Sequence, residues 1–488
     1  MGSINIITVT YKINQISNGV NQNRAPLYEA LQRYVKKSVT KLHVPGHQYG
    51  RGLPKEINLL LGKSAEFDLS VLEDIDSLSH PQSVIKEAQD LAAEAFGAEE
   101  TLFLVGGSTL GVIAMILSAC SLNDKILVSR NMHQSVVAGL ALSGARPIYL
   151  QPEFDEDFNL PLNVRPETVE KSLKENPAVK AILIVNPTQF GVTTDLKKIA
   201  EITHRAGKIL LVDEAWGAHL KFHPEFPQPA LAAGADAVVQ SIHKRLPALS
   251  QTSMLHLQGK RIDREKVKRT VRMLQTTSPS YIFLASLDLV RRQMALNGKK
   301  IWQEPIDLAE KAREFLEKSK FRYLKRNYLN KNKFDLDLTN LVVEVENGFK
   351  AWKILNKNKI EPEFGTFDHL IFIFGIGNNK EDLSSFIKVL KQISPKKSQR
   401  KIKYPEILPQ ISLSPFEVSL KPTEEIKIEK AIGRIVAQTI TPYPPGIPLL
   451  VPGEVMTQKI FDYLKEITKY ISIRMQVLGP AETIKVVK

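Results

Sequence analysis

A chain of 488 residues exceeds what one hydrophobic core supports, so two or three domains are expected. Its 43% hydrophobic and 24% charged residues are those of an ordinary folded protein, and its single cysteine, Cys120, excludes an intramolecular disulfide. The net charge of +14 is spread along the chain: its densest runs, Lys318–Lys333 and Lys396–Lys403, carry no nucleic-acid motif, and no apolar run reaches the ~20 residues of a membrane span, so a cytoplasmic protein with neither nucleic acid nor membrane as partner is expected.

Residues 1–60 read as a mixed N-terminal arm. Only the short Ile4–Val9 stretch is apolar there, so no secretory segment is expected, and a helix is predicted near Leu27–Lys37. Strands are predicted at Thr101–Val105, Lys125–Ser129, Arg146–Leu150, Ala181–Val185, Ile209–Asp213, Asp236–Ser241 and Ser253–Leu257. Several are apolar throughout, as strands covered on both faces must be. Segments with helical spacing, such as Leu110–Ser121 and Leu196–Ala206, lie between them. The alternation implies an α/β large domain over 61–300, with a mostly parallel seven-stranded sheet covered by helices. Cys120 ends an apolar helical run and is expected to be buried and inert. Residues 265–315 read as mainly helical. Asn340–Val345 and Leu370–Gly375 read as strands of a smaller α/β domain over 301–395. Pro395–Lys403 reads as a charged linker, and 396–488, with the Pro- and Gly-rich Pro442–Gly453, as a C-terminal domain.

Four short segments carry chemistry. Ser241-Ile242-His243-Lys244 follows a predicted strand, at the edge where α/β sheets present ligands. A desolvated lysine there loses its proton readily and can attack a carbonyl; an ordinary exposed lysine reads equally well from the tetrapeptide alone. Leu211-Val212-Asp213-Glu214-Ala215 ends a strand in a carboxylate, which suits either a cap, a metal or the protonated nitrogen of a pyridine cofactor. Gly106-Gly107-Ser108-Thr109 is a turn into a helix whose N–H and hydroxyl groups suit phosphate, although an N-cap turn explains it by itself. The G-K-[ST] ending of a nucleotide-triphosphate loop is missing. Asn131-Met132-His133 follows another strand and could stack an imidazole on a flat ring. No metal site is expected.

These residues together resemble the Orn/Lys/Arg decarboxylase family of pyridoxal 5'-phosphate (PLP) enzymes, of the aspartate-aminotransferase fold (fold type I). The resemblance runs through His43-Val44-Pro45-Gly46-His47, Leu72–Pro81, Ala98–Gly111, Arg130–Ser135, Asn186–Gly191, Asp213–His219, Ser241–Ser250, Thr276–Pro279, Pro444-Pro445-Gly446-Ile447-Pro448 and Pro452-Gly453-Glu454. It implies that Lys244 holds PLP as a Schiff base and that Asp213 pairs with the pyridinium nitrogen. It implies further that His133 and Ala215 flank the ring, that Ser108, Thr109, Ser241 and His243 hold the phosphate, and that Lys244 or His243 returns the proton. Thr277 and Ser278 would reach the cofactor of a neighbouring subunit, so that sites are shared in a homodimer or higher oligomer. The match starts at His43, so by this resemblance one of the shorter members, without an N-terminal receiver-like domain, is expected. Gly106 stands where many members have Asn, and Trp216 where many have His.

The substrate implied is a basic amino acid: arginine first, then lysine, then ornithine. Glu454, Asp74 and Asp76 are the candidate carboxylates for its distal cation, because screening at physiological salt leaves nearby charges in control. An aminotransferase of the same fold and a non-catalytic basic binding protein remain the alternatives.

Overall fold

Seven apolar runs form the central sheet: β1 (Glu100–Leu104), β2 (Lys125–Ser129), β3 (Arg146–Leu150), β4 (Val179–Val185), β5 (Ile209–Asp213), β6 (Ala237–Gln240) and β7 (Ser253–Leu257). Their order is β1-β7-β6-β5-β4-β2-β3. Only β7 runs against its neighbours, β1 and β6, while β6, β5, β4, β2 and β3 pair in parallel. The computed structural model describes residues 21–37, 39–395, 408–441, 447–468 and 483–488. The Ile4–Val9 stretch, the basic run from 396 to 403 and Pro444-Pro445-Gly446 lie outside them.

The strands read as uniformly apolar because each faces two cores. Ile182 and Ile184 of β4 and Leu210 and Val212 of β5 pack with Ile85, Phe96 and Ile202 on one face. Leu183, Val185 and Leu211 pack with Met115, Val136 and Leu140 on the other. Each such side chain contributes roughly 1.5–3 kcal/mol on burial. Cys120 belongs to the second core, and burial pushes its thiol up to about 12. The N-terminal helix Pro26–Val35 joins the first core through Leu27 and Leu31.

The helix Tyr281–Lys318 serves two units. Tyr281, Leu284 and Trp302 lie in the first core of the large sheet, whereas Leu308, Ala312 and Leu316 lie in the core of a smaller one. The boundary expected at residue 300 therefore falls inside a continuous helix. The smaller sheet is β8 (Asn340–Glu344), β10 (His369–Ile373) and β9 (Phe364–Gly365) in that order. The chain enters it from Phe334–Leu336, which pairs with Val192–Thr194 of the large unit. The C-terminal unit pairs Thr423–Lys427 with Thr483–Val487 over a separate core. The basic run 318–333 is laced with carboxylates: Arg322 pairs with Asp157, Lys325 with Glu317, Arg326 with Asp335 and Lys333 with Glu167. No helix among the described residues is long and apolar enough to cross a membrane.

Candidate active site

Strands β1, β2, β4, β5 and β6 all point their carboxyl ends to one edge of the sheet, so the loops that follow them converge. There they surround a cavity of about 540 Å3. Ser108, Thr109, His133, Asp213, Ala215, Ser241, His243 and Lys244 all line it. A larger groove of about 1120 Å3 runs along the middle of helix Tyr281–Lys318 and contains none of them.

At one end is a hydroxyl cluster. The turn after β1 reverses at Gly107, whose φ of +70° favours glycine, and delivers Ser108 into the first turn of helix Gly107–Ala119. Ser108 Oγ lies 2.7 Å from both Ser241 Oγ and Ser253 Oγ. Ser253 in turn donates to the Gln240 carbonyl at 2.7 Å. Hydroxyls gathered at a helix N-terminus form an anion site.

Asp213 ends β5 and is buried; its carboxylate accepts the Ala215 N–H at 3.1 Å, which fixes its direction. His133 caps helix Gln134–Ser143: its Nδ1 accepts the Ser135 N–H at 3.2 Å and lies 2.9 Å from the Ser135 hydroxyl. An N–H can only donate, so the ring proton sits on Nε2. Burial lowers the His133 pKa and Lys244 lowers it further, against the opposing pull of Asp213. Burial likewise lowers Lys244, opposed by Asp213 and Glu363, and lowers His243, with Lys244 adding to the effect. The Lys244 Nζ lies 4.3 Å from the centre of the Trp216 ring.

The candidate carboxylates for a distal cation are placed elsewhere, which corrects that expectation for this subunit's cavity. Glu454 is fully buried, pairs with Arg130 at 2.9 Å and accepts the Val451 N–H, so it fastens the C-terminal unit to the large one. Asp76 accepts the N–H groups of Ser77, Gln82, Ser83 and Ile85 and shapes the entry to helix Val84–Phe96. Asp74 is exposed and pairs with Lys37. Thr277 and Ser278 stand exposed between two helices, outside the cavity. Besides Asp213, the acid that lines the cavity is Glu363, just before β9; burial raises its pKa, against Lys244 and Arg245. Asn131, Gln189, Trp216 and Thr441 line it as well. Of these Asn131, Gln189 and Trp216 lie in segments that carry the family resemblance, Arg130–Ser135, Asn186–Gly191 and Asp213–His219. Glu363 carries no local signal beyond its charge, and nothing local marks Thr441 as a cavity residue.

Behind Lys244, Arg245 is buried and donates to Asp337 at 2.9 Å and to the Thr339 hydroxyl. His219 lies 2.9 Å from the same Asp337 oxygen. This charged cluster ties the Lys244 turn to the bend that leads into β8. No group of three or more His, Cys, Asp or Glu able to hold a metal occurs among the described residues.

The cavity suits a phosphate-bearing cationic aromatic ring. It offers hydroxyls and helix N–H groups for phosphate, a buried carboxylate for a protonated ring nitrogen, a neutral imidazole for a ring face and a lysine of lowered proton affinity. Asn131 and Thr441 also hold buried polar atoms without partners among the described residues, as a ligand site does.

Comparison with known proteins gives the same direction. The Orn/Lys/Arg decarboxylase major-domain model matches residues 25–352, and the family's C-terminal-domain model matches residues 398–473. The arginine decarboxylase of Bacillus subtilis (strain 168) is 34% identical over 479 residues, covering 95% of this chain and 97% of that protein. That of Bacillus anthracis is 36% identical over 488 residues, covering 96% and 98%. Among solved structures, lysine decarboxylase A from Pseudomonas aeruginosa superimposes with a TM-score of 0.83 at 22% identity, over 95% of this chain and 80% of that one.

Proposed function

The chain belongs to the Orn/Lys/Arg decarboxylase family of PLP-dependent enzymes, and from that premise we propose that it removes the α-carboxylate of arginine, releasing carbon dioxide and the corresponding amine. The observation that carries this reading is the meeting of Lys244, Asp213 and Glu363 in one cavity that holds no arginine among its described lining residues. A transaminase keeps its substrate's carboxylate and commonly grips it with a guanidinium; a decarboxylase must let it go. Arginine ranks first because the relatives at 34% and 36% identity bear that name.

Bound PLP supplies a conjugated cationic ring that accepts the electron pair of the breaking bond. The residues of the chain do the rest. Lys244 attaches the cofactor, and its lowered proton affinity makes its amine available as a nucleophile. Asp213 keeps the ring nitrogen protonated, while His133 and Ala215 hold the ring flat. Ser108, Thr109, Ser241 and His243 hold the phosphate. Glu363 receives the guanidinium. Lys244 or His243 returns a proton to the substrate carbon. Thr277 and Ser278 act in the neighbouring subunit's site of a homodimer.

Carbon dioxide release from arginine, lysine and ornithine in turn, by purified protein with added PLP, tests the reading. Release from arginine that disappears in Lys244→Ala is expected. No release from any of the three, with the yellow cofactor still bound, rules the decarboxylase reading out and returns the aminotransferase.

A further inference from the structure

Three polar side chains of the cavity are not among those assigned above to the cofactor. Asn131, in the loop after β2, is 5% exposed, and neither its Nδ2 nor its Oδ1 has a hydrogen-bond partner among the described residues. Thr441, from the C-terminal unit, is 9% exposed, and its hydroxyl has none. Gln189, in the loop after β4, has a buried Nε2 without one. All three line the same cavity as Lys244. Buried donors left unmatched are destabilising, and sites that bind ligands are where native proteins keep them.

Most groups of the bound pair are already matched under the function proposed above, on which this step rests. Phosphate meets the Ser108–Ser241 cluster, the ring nitrogen meets Asp213, and the guanidinium meets Glu363. Two acceptors are left, the ring's 3-oxygen and the α-carboxylate, and of the two the carboxylate, with its two oxygens, has room for three donors. Three elements each present it a donor. We propose that Asn131, Gln189 and Thr441 form a neutral cradle for the substrate α-carboxylate.

Neutrality suits the reaction. As the bond to Cα breaks, the carboxylate leaves as carbon dioxide, its bonding pair stays with the substrate carbon, and one proton later returns to that carbon. The negative charge on the leaving group therefore vanishes. A guanidinium would stabilise the charged starting state more than the transition state, whereas amides and a hydroxyl orient the group with a weaker grip. A cradle drawn from the large and C-terminal units also requires both to be in place before carbon dioxide can leave.

The test compares arginine with the amine that remains when it loses its carboxylate, 4-aminobutylguanidine, on the PLP-loaded enzyme. Thr441→Val, Gln189→Met and Asn131→Ala each remove one donor. Each is expected to raise KM for arginine about tenfold, while the inhibition constant of the amine stays within about twofold. Constants that rise together for both ligands, or that do not move for either, overturn the cradle. Thr441→Val and Gln189→Met nearly preserve shape, so they decide the matter if Asn131→Ala does not fold. Wild-type carbon dioxide release alone judges the decarboxylase reading. If it is absent, titrating the same two ligands against the absorbance of the bound cofactor still decides the donor set.

Discussion

Lys244 and Glu363 show how burial sets the chemistry of single residues. Burial penalises the charged form of each, so the lysine gives up its proton more easily and the carboxylate takes one more easily. For Glu363 the sign matters to binding. Its pKa is raised, so as pH falls it is protonated earlier than an ordinary carboxylate and loses its attraction for a cation. KM for arginine is therefore expected to climb on the acid side, and Glu363→Gln to abolish that limb while raising KM at neutral pH about 30-fold or more, the effect of removing one partner of a buried charge pair. A pH series of KM on both proteins measures this; an acid limb that survives in the variant removes Glu363 from the role. Asp213→Asn is expected to bind PLP yet lower kcat by about a hundredfold or more, as loss of an electrostatic partner of the developing charge does. Lys244 and Asp213 were legible in the sequence because Asp213 closes one apolar strand, Lys244 follows another, and the family resemblance joins the two. Glu363 was not: its place in the cavity comes from how the small sheet docks, and no periodicity near Ile360–Phe364 records it. Glu454 and Asp76 misled for the complementary reason, since a carboxylate in a motif looks the same whether it meets a ligand or, as here, Arg130 and a row of N–H groups.

At the scale of elements, the strands were readable because their two-sided burial makes them continuous apolar runs; β2, β3, β5 and β7 coincide with the predicted bounds. Helix Gly107–Ala119 starts before the predicted Leu110 because its polar first turn, which holds Ser108 and Thr109, carries no apolar signal. The junction between the two sheets was hidden for a different reason. Helix Tyr281–Lys318 buries residues in both cores, so its pattern shows no break at residue 300. The bend into β8 is instead fixed by Asp337, which lies beyond that helix and is clasped by Arg245 and His219. Both ion-pair partners are 1% exposed, so truncation leaves a guanidinium buried without its counter-charge. Asp337→Ala is expected to cost about 3–5 kcal/mol of stability in a denaturant titration. Loss of less than about 1 kcal/mol would mean that water reaches Arg245 and that the clasp does not fix the bend.

At the scale of the molecule, one face of the chain is unfinished. Helix Lys55–Leu61 buries none of its residues, and Leu59 and Leu60 are 87% and 83% exposed, with Leu42 at 90%. Adjacent leucines left in solvent, as Leu59 and Leu60 are, suit an interaction surface. The proposed homodimer would cover such a surface, and the exposed Thr277 and Ser278 would then serve the partner's cavity. Sharing of that kind has a quantitative signature. A Thr277→Ala, Ser278→Ala double variant keeps its own Lys244, whereas Lys244→Ala keeps its own Thr277 and Ser278. Each homodimer has two damaged sites. Unfolding and refolding the two together in equal amounts gives hybrids as about half of all dimers, and in each hybrid one site collects both defects while the other is whole. Activity should therefore recover to about a quarter of wild type. If each site were built from a single subunit, the mixture would show only the average of the two inactive parents, and Thr277 and Ser278 would have no part in the neighbouring site.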